Sequence, residues 1–204
     1  MLWSKFIQPY IIHLACSSNI LKKQRKRILS FAEGHVLEIG FGSGLNLPYY
    51  NENKIIELIA LEPSHEMQKI AKKTLKPDFP VNFLTSFAES IPIKDESVDT
   101  VVCTYTLCSI DNPIQVLLEI KRVLKKNGKF LILEHVQSPD SNVSFIQNKL
   151  NPFWKILAGG CHLNCNTKRY LKEVGFDISN LNEMYLPKVP KFIGYNIIGL
   201  LKNT

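Results

Sequence analysis

His35-Val36-Leu37-Glu38-Ile39-Gly40-Phe41-Gly42-Ser43-Gly44 is a short apolar run that carries one acidic residue and ends in glycines at alternate positions. Val36, Leu37 and Ile39 read as a buried strand, and the glycines as a tight loop where backbone lies close to a ligand. Glycine suits such a loop because it lacks a Cβ and tolerates positive φ. A phosphate-cradling GxxxxGK(S/T) loop is excluded, since no Lys follows the glycines. A dinucleotide GxGxxG loop needs its third glycine at position 45, which is Leu45 here. The placement of Glu38 then decides which ligand suits the loop.

Downstream of the loop, Asn46 and Pro48 read as helix-start residues, a side-chain acceptor followed by a pre-set φ. Residues 55–61 form a second apolar run closed by Glu62-Pro63, and Pro63 disfavours helix at Glu62, so that carboxylate stands at a strand tip. A helix is expected over 66–75, short strands over 81–84 and 98–104, and a helix over 113–125 whose apolar residues recur with 3.6 periodicity. A fifth strand over 130–133 ends at Glu134-His135. Strands alternating with helices imply a parallel sheet covered on both faces. Such a sheet binds ligands beyond the carboxyl ends of its strands, near the topological switch point. Glu38, Glu62, Thr104 and Glu134 all stand at those ends.

The tail departs from this alternation. Residues 176–186 and 192–201 read as two strands joined by a connection too short for a crossover helix, hence an antiparallel hairpin. The expected fold is α/β, a doubly wound Rossmann-like sheet of about seven strands, mostly parallel, with a C-terminal antiparallel hairpin. Residues 1–30 read as an N-terminal amphipathic helical cap and 31–204 as the sheet domain. The interval 139–165 is the least regular.

At 204 residues the chain suits one full core. No window holds the ~20 consecutive apolar residues of a membrane span. Five cysteines, an odd number, argue for a reducing, cytoplasmic setting rather than a disulfide framework. Cys161 and Cys165 with His162 have the look of a zinc half-site, but no second pair at finger-like spacing accompanies them, and no metal is expected. Net charge is +7, concentrated in Lys22, Lys23, Arg25, Lys26 and Arg27. Before them Trp3, Phe6, Ile7, Tyr10, Ile11 and Leu14 form an apolar helical stripe. A solvated helix face is the plain reading of the cations; stripe and cations together are also a candidate for peripheral contact with an anionic membrane.

Glu38-x-Gly40-x-Gly42-x-Gly44 resembles the first motif of class I S-adenosylmethionine-dependent methyltransferases. The chemistry agrees, because pyrophosphate seeks a helix N-terminus, whereas S-adenosyl-L-methionine carries an ammonium and a sulfonium that a carboxylate suits. The resemblance assigns Glu38 to the methionine end, the Gly40–Gly44 loop with Ser43 and Asn46 to the cofactor, and Glu62 to the ribose hydroxyls. Residues 86–92 resemble the adenine-reading segment of the same family, which implies contacts from Phe87, Ala88 and Glu89. The family usually has Asp or Asn where this chain has Phe87, so the ring flanks adenine by stacking. Thr104 lies where the fourth strand passes the cofactor.

The acceptor is read by elimination and likeness. No Asn/Asp-Pro-Pro-aromatic motif follows strand four, and no Cys follows a Pro, so nucleic acid is disfavoured. Residues 101–110, Glu134-His135-Val136, Pro152-Phe153-Trp154-Lys155 and Gly160-Cys161-His162-Leu163 resemble the thiol methyltransferases of the methyltransferase-like seven group. They are similar as well to small bacterial enzymes grouped with ubiquinone, menaquinone and phospholipid methyltransferases. The resemblance implies methyl transfer to a small, lipophilic acceptor such as a thiol. Alternatives are a phospholipid N-methyltransferase, a quinone-type methyltransferase, or a non-catalytic cofactor-binding module. His135, after strand five, is the candidate general base.

Overall fold

The computed structural model describes residues 10, 13, 14, 16–74 and 77–203. The elements in chain order are α1 (Asn19–Leu29), β1 (Gly34–Ile39), β2 (Ile55–Leu61), α2 (His65–Thr74), β3 (Val81–Leu84), β4 (Val98–Thr104), α3 (Pro113–Val123), β5 (Leu124–His135), α4 (Ser141–Leu157), α5 (Thr167–Glu173), β6 (Asn182–Tyr185), the single turn α6 (Lys191–Gly194) and β7 (Tyr195–Lys202). Trp3, Phe6, Ile7 and Ile11 of the apolar stripe, and Leu75 at the expected end of α2, lie outside the described residues. Tyr10 and Leu14 are exposed.

The strands form a single seven-stranded sheet in the order β3-β2-β1-β4-β5-β7-β6. β1 to β5 run parallel, while β7 is antiparallel to both β5 and β6. The chain moves outward from β1 in one direction and from β4 in the other, so the switch point lies between these adjacent strands. There the register pairs Glu38 with Val102 and Ile39 with Cys103. This is the doubly wound sheet with an antiparallel C-terminal hairpin that the sequence predicts.

Residues on alternate sides of each strand build two cores, as the twofold repeat of a strand requires. Val101, Cys103, Phe130 and Ile132 face a core completed by Val116, Leu117 and Ile120 of α3 and Leu171 of α5. Val102, Leu131 and Leu133 face the opposite core, completed by Ile28 and Leu29 of α1 and Ala71 of α2. Burial on both faces explains why these strands read as continuous apolar runs.

Three expectations are corrected. Asn46 and Pro48 begin no α-helix; a 3₁₀ turn over Leu47–Tyr49 follows, and the Asn46 side chain makes no capping hydrogen bond. Its amide turns into the sheet edge instead, and a second turn, Glu52–Lys54, leads straight into β2. The interval 139–165 holds the 17-residue α4, which tolerates Pro152 inside it. Its apolar positions Phe145, Ile146, Leu150 and Phe153 are exposed, so a helix face rather than an irregular loop accounts for them. Finally, the expected strand over 176–186 shortens to β6, because Phe176 packs on Phe130 with ring centroids 5.4 Å apart, from a loop crossing the α3 face.

Candidate functional site

β1 delivers Glu38 to the sheet edge with its carboxylate almost wholly buried, at 2% exposure. Asn46 Nδ2 donates to Glu38 Oε1 at 2.9 Å and Tyr50 Oη donates to Oε2 at 2.6 Å. Burial nevertheless pushes the Glu38 carboxyl up to about 7; the Tyr50 hydroxyl, the Arg25 charge and the Asn46 amide oppose that rise without cancelling it. Arg25 is the reason Asn46 is held in place. Its Nη1 donates to Asn46 Oδ1 at 2.6 Å and to Thr104 Oγ1 at 2.9 Å, and the guanidinium lies over the Tyr105 ring, 5.2 Å from its centroid. Arg25 Nε is buried and has no partner among the described residues.

Glu62, just past β2, accepts the Gly42 N–H on Oε2 at 2.8 Å and the Ser64 N–H on Oε1 at 2.9 Å. Burial raises its pKa, against the pull of these two backbone donors. The carboxylate thereby ties the glycine loop to the start of α2. Gly40 and Gly42 both have positive φ, 66° and 58°. A Cβ on Gly40 would collide with the Thr106 side chain. A Cβ on Gly42 would meet nothing nearer than Met67 Cε at 3.5 Å, so that position faces open space.

That space is a cleft of about 440 Å³ at the switch point, lined by the ends of β1, β2 and β4 and by the loops after β1, β2, β3 and β4. Of the residues singled out from the sequence, Glu38, Gly40, Gly42, Ser43, Asn46, Glu62, Phe87, Ala88, Glu89 and Thr104 line it. Gly44 turns the loop with φ 78° but is not on the wall. Phe87 stands at the rim, 70% exposed, while its neighbour Ala88 is buried. The opposite wall comes from Tyr105, Thr106, Ser109, Ile110 and Asp111, together with Gly159 from beyond α4.

Two expected positions lie behind the cleft rather than in it. Glu134 is fully buried, and its Oε1 accepts the backbone N–H groups of Thr106 at 2.8 Å and Leu107 at 3.1 Å, shaping the far wall. His135 does not line the cleft; it is 7% exposed and faces Cys161. The sequence reading missed Arg25, His13 and Cys16, all of which line the cleft from the N-terminal side. His13 Nδ1 lies 2.7 Å from Ser43 Oγ. Arg25 was hidden among five cations of which the other four are exposed. Among the described residues no three His, Cys, Asp or Glu side chains are grouped to hold a metal ion.

The methyltransferase-domain family matches this chain over residues 37–132. Thiol S-methyltransferase TMT1B of Rattus norvegicus is 30% identical over 206 residues, covering 94% of this chain and 84% of that protein. Thiol S-methyltransferase TMT1A of Homo sapiens is 29% identical over 169 residues, covering 80% of this chain and 68% of the human one. Among solved structures, an S-adenosylmethionine-dependent methyltransferase of Thermotoga maritima aligns over 100% of this chain and 98% of its own, with a TM-score of 0.69 at 20% identity.

Proposed function

The chain belongs to the class I S-adenosylmethionine-dependent methyltransferases, and from that premise we propose that it methylates a small, lipophilic thiol. The observation that carries this reading is the similarity to thiol S-methyltransferases across 94% of the chain.

The residues of the cleft fit the cofactor. A carboxylate held near neutrality by burial lacks countercharge, because the nearest cation, Arg25, spends its Nη1 donor on Asn46 and Thr104. The ammonium of the methionine moiety supplies that charge to Glu38. Arg25, which lines the cleft, is the cation available to the methionine carboxylate. Glu62, whose oxygens each already accept one N–H, retains lone pairs for the ribose hydroxyls. Phe87 offers an exposed ring face at the rim for the adenine. Bound S-adenosyl-L-methionine supplies a methyl carbon already activated by its sulfonium sulfur.

The chain's own task is then alignment and exclusion of water. Its far wall, Tyr105, Ser109, Ile110 and Gly159, is uncharged apart from the neighbouring Asp111. His135, the candidate base, points at Cys161 rather than into the cleft. A thiol tolerates this arrangement, since its pKa of roughly 8.5 leaves some thiolate at neutral pH without a base. An ammonium or a phenol depends more on one. Residues 1–30 act in this reading as a cap, supported by His13, Cys16 and Arg25 on the cleft wall. The setting is reducing and cytoplasmic, with peripheral membrane contact supported by the exposed apolar residues of α4 and the cations of α1.

The test is release of S-adenosylhomocysteine across acceptor classes. Turnover with an alkyl thiol above that with a quinol, a catechol or phosphatidylethanolamine vesicles is expected. Turnover with the phospholipid or the quinol but not the thiol overturns the acceptor. Tight donor binding with no product from any class reduces the chain to a binding module.

A further inference from the structure

Behind the far wall of the cleft lies a cluster that donor binding does not use. Cys108 is buried in the 3₁₀ turn Leu107–Ser109, and Cys161 follows Gly159 and Gly160 and is partly exposed. Their sulfur atoms are 3.3 Å apart, and the backbone N–H of His162 donates to Cys108 O at 2.7 Å, so the two segments are already pinned together. Neither ring nitrogen of His135, nor Trp154 Nε1, has a hydrogen-bond partner among the described residues, although all three atoms are buried. Buried polar groups rarely go without a partner. Here both side chains face the Cys161 sulfur. Among the described residues the one hydrogen bond to the Cys161 sulfur is with Cys108, and an ionised Cys161 would offer the two unpartnered side chains an acceptor nearby.

We propose that Cys108 and Cys161 are a peroxide-reactive dithiol site, with Cys161 as the attacking sulfur and Cys108 as the resolving one. The electrostatics agree. Hydrogen bonding to Cys108, with further help from His135 and Trp154, holds the Cys161 thiol below its ordinary range against burial, while that same bond and burial push Cys108 up. The partial cover of Cys161 selects a small oxidant over a bulky disulfide.

The Cys161 thiolate attacks one oxygen of hydrogen peroxide; the O–O bond breaks, and hydroxide leaves and is protonated to water. Cys161 is now a sulfenic acid. The Cys108 sulfur attacks it, the S–S bond forms, the S–O bond breaks, and the Cys108 proton leaves with that oxygen as a second water. The two sulfurs have lost the two electrons that the peroxide gained. The sulfurs must close from 3.3 Å to a bond of about 2.0 Å. Gly159, two residues before Cys161, lines the cleft.

The test uses the full chain, reduced and then treated with one equivalent of hydrogen peroxide, read by mass spectrometry after alkylation of free thiols. The expected result is loss of two hydrogens, a Cys108–Cys161 linked peptide and full reversal by a phosphine reductant. In Cys108→Ser, Cys161 is expected to be trapped by dimedone as the sulfenic acid. No linked peptide, a bridge to Cys16 or Cys165 instead, or sulfinic acid on Cys161 of the unaltered chain overturns the proposal. The readout is mass, so it stands apart from the identity of the methyl acceptor.

Discussion

Replacing Glu38 by glutamine is expected to make the protein more stable and a worse cofactor binder at the same time. The carboxyl is raised from 4.5 to about 7 in the fold, which corresponds to about 3 kcal/mol of penalty once it is ionised. The sign follows from the direction of the shift. Below pH 4.5 the group is protonated folded or unfolded and costs nothing; the penalty grows as pH rises and is complete above about 7. Glutamine keeps the shape and never ionises. Its NH₂ must face one of the donors from Tyr50 and Asn46, returning about 1 kcal/mol of the gain. Glu38→Gln should therefore be about 2 kcal/mol more stable than the parent at pH 8, a rise of roughly 6 °C in Tm for a domain of this size. The gap should close toward pH 5. Donor affinity should fall about thirtyfold, the worth of roughly 2 kcal/mol of charge-assisted bonding. Thermal melts at pH 5, 6, 7 and 8, paired with calorimetric titration, read both. A variant less stable than its parent at pH 8, or a gap flat in pH, refutes the reasoning.

Gly42→Leu should abolish donor binding while costing only about 1–2 kcal/mol of stability, because the strain of positive φ is local and the side chain enters open cleft; unchanged affinity by calorimetry sinks the site. Arg25→Met removes a charge that lowers Glu38, so the midpoint of the pH dependence of donor binding should move above 7. A midpoint that stays put would show that Arg25 acts only through Asn46. Phe87→Ala should weaken donor binding by about 1 kcal/mol with no change in Tm, since the ring is 70% exposed. Leu131→Ala, deep in the sheet core, should lower stability by about 2–5 kcal/mol and leave donor affinity untouched once the protein is folded, as chemical denaturation and calorimetry can check.

The sheet was legible because its signal is local. The runs over 55–61, 81–84 and 98–104 are apolar, bounded by turn residues, and coincide with β2, β3 and β4. The glycine loop and the two acidic strand tips were legible for the same reason, since each stands beside the strand that delivers it. What escaped was set by distant neighbours. Arg25 is buried only because Thr104, 79 positions away, and Asn46 receive its guanidinium; a charge cluster gives no sign of which member turns inward. His135 stands at a carboxyl end as expected, yet the Gly159–His162 loop returns to claim it. Phe176 reads as strand because it is aromatic among apolar residues, but its packing on Phe130 needs no strand. Asn46 looks like a cap in sequence, and the buried carboxylate of Glu38 outbids the helix for its amide.

The central claim is that Glu38 meets the cationic end of S-adenosyl-L-methionine in this cleft. It is tested most directly by measuring the affinity for that cofactor between pH 6 and pH 8, beside 5′-methylthioadenosine, which lacks both the amino acid and the sulfonium charge. With Glu38 titrating at about 7, the cofactor should bind about tenfold more weakly at pH 6 than at pH 8, with about half a proton released on binding at about pH 7. Methylthioadenosine should be indifferent. Cofactor affinity that ignores pH over that range, or a methylthioadenosine curve that follows it, would contradict the account.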